Sequence, residues 1–162
     1  MDTEEKLVAA GIELPPAVAP FGAYVPAVQT GNLLFLTGML PTVGHKPKYL
    51  GRVGKELSAE EGVRAARAAA LNALATAKDH LGSLDKVSRI VRLGVYIATA
   101  SDVDQVRIAD AASLLFRDVF GEDRMSSRLV FGVQRLPLGV PVELEVILEV
   151  KKKEHLCQQQ SQ

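Results

Sequence analysis

Cys157 is the only cysteine in the 162 residues, and tryptophan is absent. A lone cysteine cannot close a disulfide within the chain, so nothing here calls for an oxidising compartment. Charge of either sign is not in excess: Lys+Arg and Asp+Glu both number 19, for a formal net charge of zero. A nonspecific nucleic-acid binder is normally basic, so this balance gives RNA or DNA binding no electrostatic support. Histidine is scarce as well. His45, His80 and His155 have no Cys or His at a ligand-like interval, and no metal site is expected. The chain lacks a glycine-rich phosphate loop and a Gly-x-Ser-x-Gly elbow, so chemistry without a cofactor is expected. No apolar run approaches the length of a membrane span. The segment Met1-Asp2-Thr3-Glu4-Glu5-Lys6 is acidic and lacks the basic-then-apolar order of a secretory signal. The expected location is cytoplasmic.

What remains reads as one domain over 1–150, long enough for a real core, with a polar tail at 151–162. A short helix is expected from Thr3 to Ala10, stopped at Gly11. Pro15, Pro16 and Pro20 then hold the chain extended. Strands are expected at Tyr24–Val28 and Leu33–Gly38, joined through Thr30-Gly31-Asn32. A basic loop with Lys46, Lys48, Arg52 and Lys55 follows over 41–54 and beyond. Ser58-Ala59-Glu60-Glu61 is a capping box. It opens a helix with Val63, Ala66, Ala70, Leu74 and Ala77 on one stripe, closed by Gly82. A strand over 87–97 and a second long helix from Asp102 to Phe120 come next. The order β-β-α-β-α-β-β predicts an α+β fold with one sheet and two helices packed on one face. The other sheet face keeps apolar residues such as Ile147, which predicts oligomerisation.

The chemistry is concentrated in Ser127-Arg128 through Glu145. Two β-rich runs flank Leu136-Pro137-Leu138-Gly139, which predicts a hairpin or a close neighbour pair. From Val140 the alternation puts Val142, Leu144, Val146, Leu148 and Val150 on one face. Glu143, Glu145, Ile147 and Glu149 fall on the other. A guanidinium such as that of Arg128 holds a carboxylate through two parallel hydrogen bonds. A carboxylate such as that of Glu143 can take a proton from water. Each also has an ordinary reading, as a surface ion-pair partner and a solvated strand residue.

These blocks resemble the RidA/YjgF superfamily of imine and enamine deaminases, also known under the older name endoribonuclease L-PSP. The matching residues are Ser127-Arg128, Arg135-Leu136-Pro137 and Val142-Glu143-Leu144-Glu145. An earlier block agrees: Phe21-Gly22-Ala23-Tyr24, then Gly31-Asn32, then Thr37-Gly38. The resemblance spans about Ala19 to Val150. It implies a chorismate-mutase-like (YjgF-like) fold and a homotrimer with active sites between subunits. It also implies hydrolysis of reactive 2-imino or 2-enamino acids to 2-oxo acids and ammonia. Arg128 would bind the substrate carboxylate and Glu143 would activate water. Tyr24, Thr37 and Gly38 would line the substrate pocket. Ser113 stands where studied members carry an asparagine, and Ser126-Ser127 replaces a common Pro-Ala, which marks a divergent branch. Glu145 is either structural or a like charge that raises the pKa of Glu143. A structural ion pair is expected for Arg135. The alternative reading is a noncatalytic trimeric binder of small carboxylates. A ribonuclease or translation inhibitor fits the charge balance less well.

Overall fold

The computed structural model describes residues 1–152; the remaining tail, with His155 and Cys157, lies outside the described residues. Among the described residues, three helices accompany a mixed sheet. The elements run α1 (Thr3–Ala9), β1 (Ala27–Thr30), β2 (Leu33–Leu36), β3 (Thr42–Val43), β4 (Lys46–Pro47), α2 (Ala59–Leu81), β5 (Val87–Ala98), α3 (Gln105–Phe120), β6 (Ser127–Val133) and β7 (Val142–Val150). The five-stranded sheet has the order β1-β2-β7-β5-β6, and β3-β4 form a separate small ribbon within the basic loop. Only β5 and β6 run parallel. The other neighbours are antiparallel.

Local chemistry sets the helix ends. Ser58 accepts the Glu61 N–H while Glu61 reaches back to the Ser58 N–H, and Gly82 closes α2 at φ +82°. An equivalent box at Asp2 and Glu5 opens α1. Glu4 ties α1 to the body: it pairs with Lys78 of α2 at 2.6 Å and accepts the Leu84 N–H at 2.9 Å. The alanine stripe lets α2 lie close on the sheet. Ala65, Ala66, Ala69, Ala70 and Ala77 are fully buried against strand residues such as Leu144 and Leu93. Removal of the α2 cap by Ser58→Ala is expected to lower stability by about 1 kcal/mol. A urea unfolding midpoint with unchanged m-value checks it.

The expected β6–β7 hairpin does not form. β5 lies between them, with Leu93 beside Arg128 on one side and Val146 on the other. Leu93, Val95 and Ile97 are fully buried, as a strand enclosed within the sheet requires. The crossover through α3 brings β6 parallel to β5, so the 134–141 connection must pass over the end of β5 before β7 starts. Ala98 N–H donates to Pro141 O and Thr99 N–H to Val133 O at that crossing.

The alternation along β7 is strict. Val142, Leu144, Val146, Leu148 and Val150 are buried under the helices. The opposite sheet face carries Val28, Phe35, Ile147, Tyr96, Leu129 and Phe131, placed together by register. Phe131 is 47 % exposed and Phe35 38 %. Tyr96 and Phe131 stack at 5.7 Å on this uncovered face.

Candidate functional site

Glu143 sits on the uncovered face at the start of β7, opposite Tyr96. Its carboxyl group lies against Gly38, just beyond the end of β2, where a Cβ would overlap Glu143 Oε1. Gly38 thus owes its identity to close approach rather than to backbone conformation. The pairing of Met39 with Leu144, by reciprocal 2.9 Å backbone hydrogen bonds, holds this segment to β7. Glu143 is half-buried and makes no side-chain hydrogen bond among the described residues. Burial pushes its carboxyl pKa above the ordinary value of 4.5. Glu145, two residues on, bonds to Arg92 at 3.2 Å and receives the Tyr96 hydroxyl at 3.5 Å. Glu145 is therefore the structural carboxylate. Burial, not the charge of Glu145, raises Glu143.

A cleft of ≈ 250 Å³ opens in front of Glu143, lined also by Phe21, Tyr24, Thr37, Gly38, Pro137 and Leu138. Three of the sequence-derived residues, Tyr24, Thr37 and Gly38, thus meet Glu143 within one chain. The Tyr24 hydroxyl accepts the Phe21 N–H at 2.9 Å, which folds the 21–24 loop over the cleft. Phe21 in turn stacks on His45 at 4.6 Å. Leu138 is the one non-glycine residue with positive φ among the described residues, at +58°. That conformation costs about 1–2 kcal/mol for an L-residue and accompanies a half-exposed leucine on the wall of the cleft. No composition or spacing signal marks Leu138, since the strain is visible only in the backbone.

Arg128 is elsewhere. It lies on the edge strand β6 and points to the helix side of the sheet, the face opposite to Glu143. Its Nη1 donates to Asp110 at 2.7 Å and to Ser113 at 3.0 Å, both on α3. Nε and Nη2 have no partner among the described residues, so one edge of the guanidinium fork is free for a ligand. Ser113 is buried and grips Arg128, and Asp110, one turn away, supplies the stronger contact. The single chain therefore holds two separate clusters: Arg128-Asp110-Ser113 at the β6 edge, and Glu143-Gly38-Thr37-Tyr24 near the end of β2.

Arg135 is exposed and forms no ion pair among the described residues, contrary to the expectation of a structural pair. It extends from the 134–136 segment, beyond the last strand residue that could have offered a carboxylate across the sheet. No group of three or more His, Cys, Asp or Glu converges among the described residues, and none of their helices is long and apolar enough to cross a membrane.

The family model described as YjgF/chorismate mutase-like, putative endoribonuclease, matches residues 4–149. Protein TCP17 of Trypanosoma cruzi is 38 % identical over 142 residues, covering 86 % of this chain and 89 % of that one. A Shewanella oneidensis protein described as a putative endoribonuclease is 32 % identical with a TM-score of 0.87, over 93 % of this chain and 100 % of that one. The Agrobacterium tumefaciens protein Atu1372, of unknown function, is 34 % identical with a TM-score of 0.83, over 92 % of each chain. With its two motif blocks placed on this sheet and its length matched almost throughout, the chain belongs to the YjgF/chorismate mutase-like family.

Proposed function

We propose that the protein hydrolyses reactive 2-imino and 2-enamino acids to 2-oxo acids and ammonia, in sites completed between subunits of a homotrimer. The observation that carries this reading is the state of Glu143. It is a half-buried carboxylate with no hydrogen-bond partner among the described residues and a pKa raised by burial, at the back of an open cleft. A structural glutamate would be paired, as Glu145 is. A general base works best with a pKa drawn toward the working pH. The free edge of Arg128 fits the substrate carboxylate. Since Arg128 and Glu143 occupy opposite faces of one sheet, a single substrate reaches both only if two copies supply them. The apolar face around Phe35, Ile147 and Phe131 supports such an assembly.

In the reaction, Arg128 orients the substrate and Glu143 takes a proton from water. The hydroxide attacks the C=N carbon, giving a carbinolamine. The proton held by Glu143 passes to nitrogen, Glu143 takes the carbinolamine hydroxyl proton as the C=O forms and the C–N bond breaks, and that proton leaves with the ammonia, giving a 2-oxo acid. One water is consumed and no redox change occurs. The test generates imines in situ with an amino-acid oxidase and follows 2-oxo acid and ammonia release with and without the purified protein. Acceleration is expected. No acceleration for small, aliphatic and aromatic imines from a well-folded trimer would refute the reading.

A second reading has one observation in its favour. Asp110 already neutralises Arg128 at 2.7 Å, as suits a site that holds a carboxylate reversibly without turnover. A noncatalytic binder needs Arg128 but not Glu143, so unchanged function in Glu143→Gln would select it.

The raised pKa of Glu143 also has a stability consequence. Its charged form is disfavoured by the fold, so its contribution is most favourable below the unfolded-state pKa and is lost as pH rises through the raised folded value. Glu143→Gln is therefore expected to raise the unfolding midpoint at pH 7 relative to the parent. The advantage should shrink as pH falls through the raised folded value and disappear well below the ordinary value of 4.5, where the carboxyl is protonated in both states. Equal or lower stability of the variant at pH 7 would contradict this.

A further inference from the structure

On the far side of the Leu136–Gly139 turn from the Glu143 cleft lies a second cavity, of ≈ 630 Å³. Leu136 and Gly139 line it, whereas Pro137 and Leu138 line the cleft. Its charged lining is Arg52, Lys55 and Arg135, with Glu56 as the one carboxylate, and Gln134 adds an amide. The side chains of Arg52 and Arg135 make no hydrogen bond or ion pair among the described residues, although Arg52 is half-buried. Glu56 accepts no hydrogen bond from either guanidinium. Its Oε2 accepts the Arg52 backbone N–H at 2.9 Å, and its Oε1 stands 3.9 Å from Lys55. Three cations less one carboxylate leave a formal charge of +2 around one cavity, in a chain whose net charge is zero.

The walls are fixed before any ligand arrives. Gly51 N–H donates to Gly139 O at 2.8 Å, which joins the loop before α2 to the turn after β6. Val53 N–H donates to Ala98 O at 2.8 Å, which anchors the same loop to the end of β5. Gly51 has φ +114° and packs so closely on Glu56 that a Cβ would overlap it. A preorganised cavity with unanswered guanidinium groups recognises an anion at low ordering cost. Two forked donors and an ammonium match a tetrahedral oxyanion, and a phosphate monoester dianion balances the +2 where a carboxylate would leave one charge over. Ala98, Leu50 and Leu136 supply an apolar floor for the body of the molecule.

We propose that this cavity binds a phosphorylated small molecule, its phosphate held by Arg52, Lys55 and Arg135. This site is separate from the imine chemistry and stands whether or not that reading holds. The test is calorimetric titration of the full chain with phenyl phosphate, with benzoate and a short RNA for comparison. Phenyl phosphate is expected to bind with a Kd of about 1 mM or tighter. Arg52→Ala and Arg135→Ala should each weaken it by about tenfold, and the double variant should abolish it, with circular dichroism and assembly mass unchanged. Replacement of Arg64 and Arg67, exposed arginines of α2 outside the cavity, should leave binding intact. Affinity should fall below about pH 6, where the phosphate takes up its second proton. Benzoate binding as tightly, undiminished binding by the double variant, or the short RNA binding far more tightly than phenyl phosphate would each overturn the assignment.

Discussion

Arg128→Ala is expected to lower kcat/KM for imine hydrolysis by about 10²- to 10³-fold, because the substrate loses both its charge partner and its orientation. The fold should survive. The side chain lies at the rim of the sheet and pairs with an Asp110 that is 48 % exposed, so the lost ion pair costs stability by about 1 kcal/mol or less. Arg128→Lys separates charge from geometry. A lysine keeps the charge but cannot offer two parallel donors while also holding Asp110 and Ser113, so it should recover only a small part of the loss. Asp110→Asn gives the complementary result. Removing the internal counter-ion leaves a less neutralised Arg128, which should bind carboxylates more tightly but in a less fixed pose. A lower KM with a lower kcat is the expected signature. Full activity of Arg128→Ala, with assembly mass and circular dichroism unchanged, would remove Arg128 from the site.

The parts of this architecture that local chemistry decides were legible in the sequence. The Ser58–Glu61 box, the Gly82 stop and the alternation of β7 each follow from a few neighbouring residues, and each is found. Strand pairing was less legible. The runs around Arg128 and Glu143 are separated by a proline-glycine turn, which favours a hairpin locally. The enclosed strand β5 outcompetes that turn because its Leu93, Val95 and Ile97 need neighbours on both sides. The same tertiary choice decides the site. In a hairpin Arg128 and Glu143 would sit on adjacent strands. With β5 between them and opposite side-chain parity, they cannot meet in one chain. The carboxylate environments also depend on cross-strand partners. Glu145 finds Arg92 and Tyr96, while Glu143 finds only Gly38, and nothing in the spacing of the two glutamates distinguishes them. The strained Leu138 and the basic cavity beside Arg135 arise from how the 134–141 connection crosses the end of β5, a path that no short window of sequence records.

The separation of the two clusters leads to a test with an all-or-none character. Arg128→Ala and Glu143→Gln should each be nearly inactive as pure assemblies, the second by about 10²- to 10⁴-fold if Glu143 is the general base. If a site takes Arg128 from one subunit and Glu143 from its neighbour, mixed assemblies contain some interfaces where both intact residues meet. Dissociating the two variants, mixing them in equal amounts and reassembling should give assemblies in which about a quarter of the interfaces carry both, since each residue is intact with a chance of about one half. Activity should therefore rise from near zero to about a quarter of the parent value. The double variant mixed with the parent provides the control. There too about a quarter of interfaces keep both residues, so the two mixtures should give equal rates. A site contained within one chain predicts otherwise: the mixture of single variants stays inactive, while the control mixture keeps about half of the parent rate. The two arrangements differ in the sign of the result, not merely its size. The outcome depends on the one geometric fact that a single chain presents most clearly, the placement of Arg128 and Glu143 on opposite faces of its sheet.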